Sequence, residues 1–258
     1  MIYTLTLNPA LDYDIYMDSF QEGDLNLSKE VNIRAGGKGI NVSKLLANLG
    51  IKSKALGYTA GFTGDFIKKN LYDEGIESDF VELDGITRIN VKINNNSKET
   101  EIAGLSPKIT KEAEGKLIEK ISKLQKDDIL ILSGSIPGSI ERNIYKKLAE
   151  MLPEGTKIVL DTRGNLLKEN LNGNFLIKPN IAELEEMFET KLSTTADIIK
   201  KCAYFLERNV KNVIVSMGGK GALLVNKEGA YLAGAPEGEL INSVGAGDSM
   251  VAGFIAGI

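Results

Sequence analysis

The sequence predicts an α/β protein with a mainly parallel sheet, on three observations. Short β-rich runs alternate with amphipathic helical stretches through most of the chain. Several of the runs are continuously apolar, as strands covered on both faces require. Polar and glycine-rich segments then follow directly on these runs, at the strand ends where open α/β sheets place their ligands.

The elements follow in order. Ile2–Leu7 is the first predicted strand, and Val42, Leu45, Leu46 and Leu49 mark the apolar stripe of a helix that Gly50 closes. Two stretches, Asp12–Arg34 and Ile86–Ala103, break the alternation and read as short strands without intervening helices. Asn94-Asn-Asn-Ser97 supplies a hairpin turn in the second. Together they are expected to form a small antiparallel sheet projecting from the body, fit to cover a site or to make a dimer contact. Leu117, Ile121 and Leu124 mark a further helix, and Ile129–Leu132, Ile158–Leu160 and Phe175–Ile177 are strands. Ile198, Cys202 and Phe205 form another helical stripe, which makes Cys202 a core thiol. Val213–Val215 and Ala222–Val225 complete the strands, and a last helix starts near Met250. With no repeat and no linker, residues 1–258 read as one domain.

Composition narrows the chemistry. The 258 residues are 43% hydrophobic and 26% charged, as in ordinary globular proteins. The net charge of −4 offers no basic field for nucleic acid. A single cysteine excludes an internal disulfide and Cys-cluster metal sites. The absence of histidine removes Ser-His-Asp hydrolysis, His-ligated zinc and imidazole acid–base chemistry. Carboxylates, lysines, arginines, backbone N–H groups or a bound metal must carry any catalysis. Met1-Ile-Tyr-Thr-Leu-Thr-Leu reads as a strand rather than a signal peptide, and no apolar run is long enough to span a bilayer, so a cytoplasmic location is expected and no membrane partner.

The most informative segment is Asn242-Ser-Val-Gly-Ala-Gly-Asp-Ser-Met250. Gly245, Ala246 and Gly247 form a turn whose N–H groups sit at a helix start, where free donors and aligned peptide dipoles attract anions. Asp248 lies at its mouth, either as a helix cap or as a general base beside a transferring phosphate. Ala35-Gly36-Gly37-Lys38-Gly39-Ile40-Asn41 opens another helix and brings Lys38 to its start. It is neither a Walker A loop nor Gly-x-Gly-x-x-Gly, which removes the main support for a nicotinamide-dependent dehydrogenase. Asp12 follows the first strand and could hold sugar hydroxyls or cap a turn; Arg88 lies on the projecting sheet. Asn180 with Glu183 fits a capping box, or organises water around Mg²⁺ after Lys178. Ser216-Met217-Gly218-Gly219-Lys220-Gly221 is either a plain hairpin or a platform for nucleotide phosphate and ribose.

Thr6-Leu-Asn-Pro-Ala-Leu-Asp12, Gly36-Gly-Lys-Gly-Ile-Asn41, Ser133-Gly-Ser-Ile-Pro137, Lys178-Pro-Asn180 and Val244-Gly-Ala-Gly-Asp-Ser-Met250 occur in the order seen in the phosphofructokinase B family of ribokinase-like sugar kinases. The chain resembles that family over essentially its whole length. Asn-Pro-Ala-Leu-Asp points to the subgroup acting on sugar phosphates, and Thr87-Arg-Ile-Asn-Val-Lys92 with Gly-Asp-Ser-Met is most similar to its 1-phosphofructokinase branch.

The resemblance implies a three-layer α/β/α sandwich with a small β-sheet lid, often shared across a homodimer. It implies phosphorylation of fructose 1-phosphate at its 6-hydroxyl by MgATP. Asp248 corresponds to the base and Gly245–Gly247 to the anion hole. Asp12, Gly37, Lys38, Asn41 and Arg88 map to the sugar phosphate. Lys178, Asn180, Glu183 and Ser216 to Gly221 map to MgATP, with Glu183 reaching the metal through water. Some 6-phosphofructokinases of the family carry glycine in place of Lys38 and an arginine near Thr100. This chain has neither, which disfavours fructose 6-phosphate and leaves tagatose 6-phosphate open. A sugar-phosphate-binding regulator without turnover is the rival of another class. The helix dipole is expected to keep Asp248 ionised and only weakly basic. Family members run several dozen residues further, so the last helix, packed by Val251, Phe254, Ile255 and Ile258, is expected to fray.

Overall fold

The computed structural model describes residues 1–95, 98–238 and 245–258. From the N-terminus run β1 (Ile2–Thr6), β2 (Ala10–Met17), β3 (Glu30–Gly36) and α1 (Lys38–Asn48). Then come β4 (Ser53–Ala60), α2 (Gly61–Asp73), β5 (Glu77–Leu83), β6 (Ile89–Asn95) and β7 (Lys98–Ile102). α3 (Lys111–Ile121), β8 (Ile129–Ser133), α4 (Ile144–Glu150), β9 (Lys157–Asp161) and α5 (Asn165–Glu169) follow. Last are β10 (Leu176–Ile177), α6 (Ile181–Phe188), α7 (Thr195–Leu206), β11 (Asn212–Ser216), β12 (Ala222–Asn226), β13 (Gly229–Ala233) and α8 (Ala246–Ala256).

The main sheet has the order β13-β12-β11-β10-β9-β8-β1-β4-β5. Strands β11 to β5 along that order are parallel, and β12 and β13 add an antiparallel edge. Side chains alternate across it. Leu130, Leu132, Ile158, Leu160, Val213 and Val215 face a core with α3, α4, α6 and α7. Ile131, Val159 and Ile214 between them face α1 and α8. The ribokinase-like three-layer sandwich is therefore present, and each apolar run identified as a strand lies in or beside one.

Cys202 is fully buried, and burial pushes its thiol up to about 12, as a core cysteine requires. The last helix has more support than its own apolar residues suggested. Val251, Ala252 and Ile255 join Val42, Leu46 and Ile131 in one buried cluster, and the Phe254 and Phe175 rings lie 6.2 Å apart. Partners supplied by α1 and the sheet hold α8 where helix propensity alone would let it fray.

The lid departs from expectation in one respect. Its order is β3-β2-β6-β7, with antiparallel outer pairs but a parallel central pair, β2 with β6. Both central strands leave the same edge of the body, β2 after β1 and β6 after β5, so they run outward side by side. Of the expected hairpin turn, Asn96 and Ser97 lie outside the described residues.

Candidate active site

Strand β1 divides the connections: the chain passes from it to β4 on one side, and β8 flanks it on the other. Such a switch point opens a crevice at the carboxyl ends of the strands. A cavity of about 570 Å³ occupies that position, lined by strand ends, two helix starts and the inner face of the lid.

The helix starts meet at its centre. Gly37 caps α1, and Gly245 caps α8 in a left-handed conformation. Ala246 and Gly247 are the first two residues of α8, and Asp248 is the third. Asp248 is thus not a cap. Its side chain is 4% exposed and its Oδ2 accepts from Asn41 Nδ2 at 2.8 Å. Asn242, Ser243 and Val244 of the motif lie outside the described residues.

The expectation that Asp248 is weakly basic is overturned. Burial raises its pKa above the usual carboxylate range, and the nearby charge of Asp161 adds to the rise. The Asn41 hydrogen bond and the charges of Lys38 and Lys178 oppose without cancelling it. Desolvation is the largest of these influences because the carboxylate lies inside the crevice, 4% exposed.

Asp161, at the end of β9, was not found from the sequence. It is 1% exposed; Lys38 Nζ donates to its Oδ1 at 3.0 Å, and Lys178 Nζ lies 3.4 Å from the same oxygen. Its Oδ2, like Thr6 Oγ1, Ser133 Oγ and Thr162 Oγ1 nearby, is buried without a hydrogen-bond partner among the described residues. The signal was available: a carboxylate ends the apolar run Ile158-Val-Leu160, the placement that singled out Asp12.

The lid contributes an inward-facing polar row. Asp12, Asn90 and Arg34 stand in register across β2, β6 and β3, as do Asp14 and Lys92. Asp12 accepts from Asn90 Nδ2 at 3.1 Å and pairs with Arg34 Nη2 at 3.2 Å; Lys92 Nζ stands 3.6 Å away. Arg88 donates to the carbonyls of Asn8 and Pro9. Burial lowers its pKa, opposed by the charges of Asp12 and Glu101. Asn8, Asn90, Lys92, Glu99 and Glu101 line the cavity without having been assigned a role there from the sequence.

On the opposite wall stand Lys178, Asn180, Glu183 and Ser216. Asn180 and Glu183 form the expected capping box, Asn180 Oδ1 accepting from Glu183 N at 2.8 Å and Glu183 Oε2 from Asn180 N at 3.0 Å. Met217, Gly218, Gly219, Lys220 and Gly221 do not reach the cavity lining among the described residues; Gly218–Lys220 is a short 3-10 turn. Gly221 has a plain structural reason. At φ 91°, a Cβ there would meet Ala233 O at 1.9 Å.

No cluster of three or more acidic or thiol side chains forms a metal cage among the described residues. Mg²⁺ keeps several waters and needs one or two carboxylates plus substrate phosphates, and Glu183 lines the cavity as one such carboxylate. Glu183 Oε1, 3.7 Å from Arg163 Nε, is the oxygen its capping role leaves over. No helix among the described residues is long and apolar enough to cross a membrane.

Comparison with known proteins agrees with this geometry. The chain is 46% identical to a 1-phosphofructokinase of Bacillus subtilis (strain 168), covering 100% of this chain and 86% of the relative. It is 36% identical to a D-tagatose-1-phosphate kinase of Bacillus licheniformis, over 99% of this chain and 84% of the relative. The crystal structure of a putative phosphofructokinase from Staphylococcus aureus superposes with a TM-score of 0.86 at 41% identity, covering 100% of this chain and 84% of that one. The family of pfkB carbohydrate kinases matches residues 5–258. The chain belongs to the pfkB family of carbohydrate kinases and is an ATP-dependent sugar-phosphate kinase.

Proposed function

We propose that the chain transfers the γ-phosphoryl group of ATP to the 6-hydroxyl of fructose 1-phosphate, giving fructose 1,6-bisphosphate and ADP. The observation that carries this is a single cavity with the buried carboxylate of Asp248 between two chemically different walls. The lid side, with Asp12, Arg88, Gly37 and Asn41, suits a sugar phosphate. The strand-end side, with Lys178, Asn180, Glu183 and Ser216, suits a nucleotide.

Asp248 takes the proton of the 6-hydroxyl as the new O–P bond forms and the bond to the β-phosphate oxygen breaks. The electron pair of that bond leaves with ADP. Its raised pKa suits a base that must hold the proton it receives. N–H groups of Gly245 to Gly247 and the α8 dipole are placed to stabilise negative charge on the moving group. Glu183 would hold Mg²⁺ through water, and the ion would supply further charge neutralisation when bound with ATP.

The relative named for D-tagatose 1-phosphate makes that 4-epimer the second reading. Tagatose 6-phosphate and fructose 6-phosphate follow. An ATP-coupled assay against all four compounds decides. Highest kcat/KM on fructose 1-phosphate is expected, and preference for any other overturns the assignment. We also propose that the lid forms a homodimer. Val31 and Ile33 on edge strand β3 are 39% and 43% exposed, facing away from the cavity. Sedimentation should show a dimer that Ile33→Lys dissociates.

A further inference from the structure

Lys38 and Arg88 occupy different electrostatic neighbourhoods. Arg88 belongs to the lid: it is tied to the Asn8 and Pro9 carbonyls and lies in the field of Asp12 and Glu101. Lys38, the first residue of α1, instead reaches across to the body of the sheet, where its ammonium donates to Asp161 Oδ1 at 3.0 Å. Lys178 reaches the same oxygen from the end of β10, at 3.4 Å. Lys178 Nζ also lies against the start of α8, 2.8 Å from where a Cβ on Gly247 would stand. Two ammonium groups and one carboxylate therefore cluster beside Asp248, at the start of α8.

We infer that Lys38 and Lys178 form a two-lysine clamp on the phosphoryl group in transit, with Asp161 as the positioning residue that holds both ammoniums when the site is empty. This rests on the kinase reading above and assigns Lys38 to the transferring group rather than to the phosphate the sugar already carries. A ketohexose 1-phosphate keeps its own phosphate a sugar's length from the 6-hydroxyl. A cation grouped with Asp248 therefore serves the hydroxyl end, while Arg88 on the lid serves the other. Charge supports the arrangement. Two lysines share a single carboxylate oxygen, leaving one positive charge in excess before Asp248 is counted. Asp161 Oδ2 makes no compensating contact among the described residues. An incoming phosphoryl group with charge spread over its oxygens satisfies both ammoniums at once. As the 6-oxygen–phosphorus bond forms and the bond to ADP breaks, the clamp stays with the phosphoryl oxygens. The hydroxyl proton passes to Asp248.

The test is Lys38→Met, with Lys38→Gln as a second variant and unfolding temperature as the check on folding. A clamp predicts that kcat falls about 10²–10³-fold, as for removal of one preorganised charge-stabilising donor. KM for the sugar phosphate should stay within about threefold, because ground-state binding is untouched. A kcat within about twofold of the parent, with KM for the sugar phosphate raised tenfold or more, overturns the inference. A second readout is independent of turnover. ADP, Mg²⁺ and aluminium fluoride together mimic the phosphoryl in flight. Aluminium fluoride should raise the unfolding temperature of the parent beyond the rise that ADP and Mg²⁺ give alone, and should add nothing in Lys38→Met, while fructose 1-phosphate alone stabilises both. An equal aluminium fluoride increment in parent and Lys38→Met also overturns it. Asp161→Asn should lower kcat and Asp161→Glu should recover part of it; unchanged kcat in Asp161→Asn removes Asp161 from the proposal. If the parent turns over none of the four sugar phosphates, the substrate assignment fails, while the mimic experiment still decides the clamp.

Discussion

Asn41 Nδ2 donates to Asp248 Oδ2 at 2.8 Å, joining the first turns of α1 and α8 across 207 positions of sequence. Of the influences that lower the Asp248 pKa, this bond is the largest. Removing it lets burial act with less opposition. In Asn41→Ala the acid limb of the kcat/KM pH profile should therefore move to higher pH. An unmoved limb would mean that Asp248 is not the group titrating in that profile.

The same pKa shift carries a stability consequence. A carboxylate whose folded-state pKa is raised stabilises the fold fully below its unfolded value, about 4. That contribution is lost as pH rises through the folded value, above the usual carboxylate range. Asp248→Asn removes the buried charge and keeps an acceptor for Asn41. The variant should unfold at higher temperature than the parent at neutral pH, with the gap closing toward pH 4. A variant less stable than the parent at neutral pH contradicts the direction of the shift.

Gly247→Ala separates packing from chemistry. Alanine inside a helix is worth about 0.5–1 kcal/mol over glycine, so the fold should hold or gain slightly. The new methyl would stand 2.8 Å from Lys178 Nζ and 3.4 Å from its Cε, so the lysine must swing away. Turnover should drop well below the parent while the unfolding temperature does not fall. Normal turnover would show that the lysine's position at α8 is not needed.

Thr87 fastens the lid to the body. Its Oγ1 accepts from Ala60 N at 2.8 Å, and its carbonyl accepts from Thr63 Oγ1 at 2.8 Å. Thr87→Val preserves shape but strands the buried Ala60 N–H, at a cost of about 1–3 kcal/mol. Chemical denaturation should register that loss. No measurable loss would mean that Ala60 N–H finds another partner.

Much of this site was legible because its parts lie where strand runs stop. Asp12 after β1, Lys178 after β10 and Ser216 at the end of β11 could each be located by the end of an apolar run. Asp161 obeys the same rule, but it belongs to no glycine-rich or capping pattern that drew attention to it. Lys92 and Asn90 were illegible for a different reason. Which face of the lid points inward depends on the pairing of β2 with β6, and that parallel pairing is set by distant connections rather than by local sequence. Strand β4 escaped because Gly57 and Thr59 interrupt its apolar run, and β13 because all five residues are exposed. In the glycine-rich turn Met217 to Gly221 one glycine also answers to packing, since Gly221 stands against Ala233.

The central claim is that Asp248 is the base that deprotonates the sugar hydroxyl. Steady-state turnover of Asp248→Asn with ATP and fructose 1-phosphate tests it most directly, with fructose 1-phosphate binding as the check on an intact site. Binding should persist and kcat should fall by about 10²–10⁴-fold, the range for loss of a positioned general base. Near-parental kcat in a variant that binds both substrates would contradict the account.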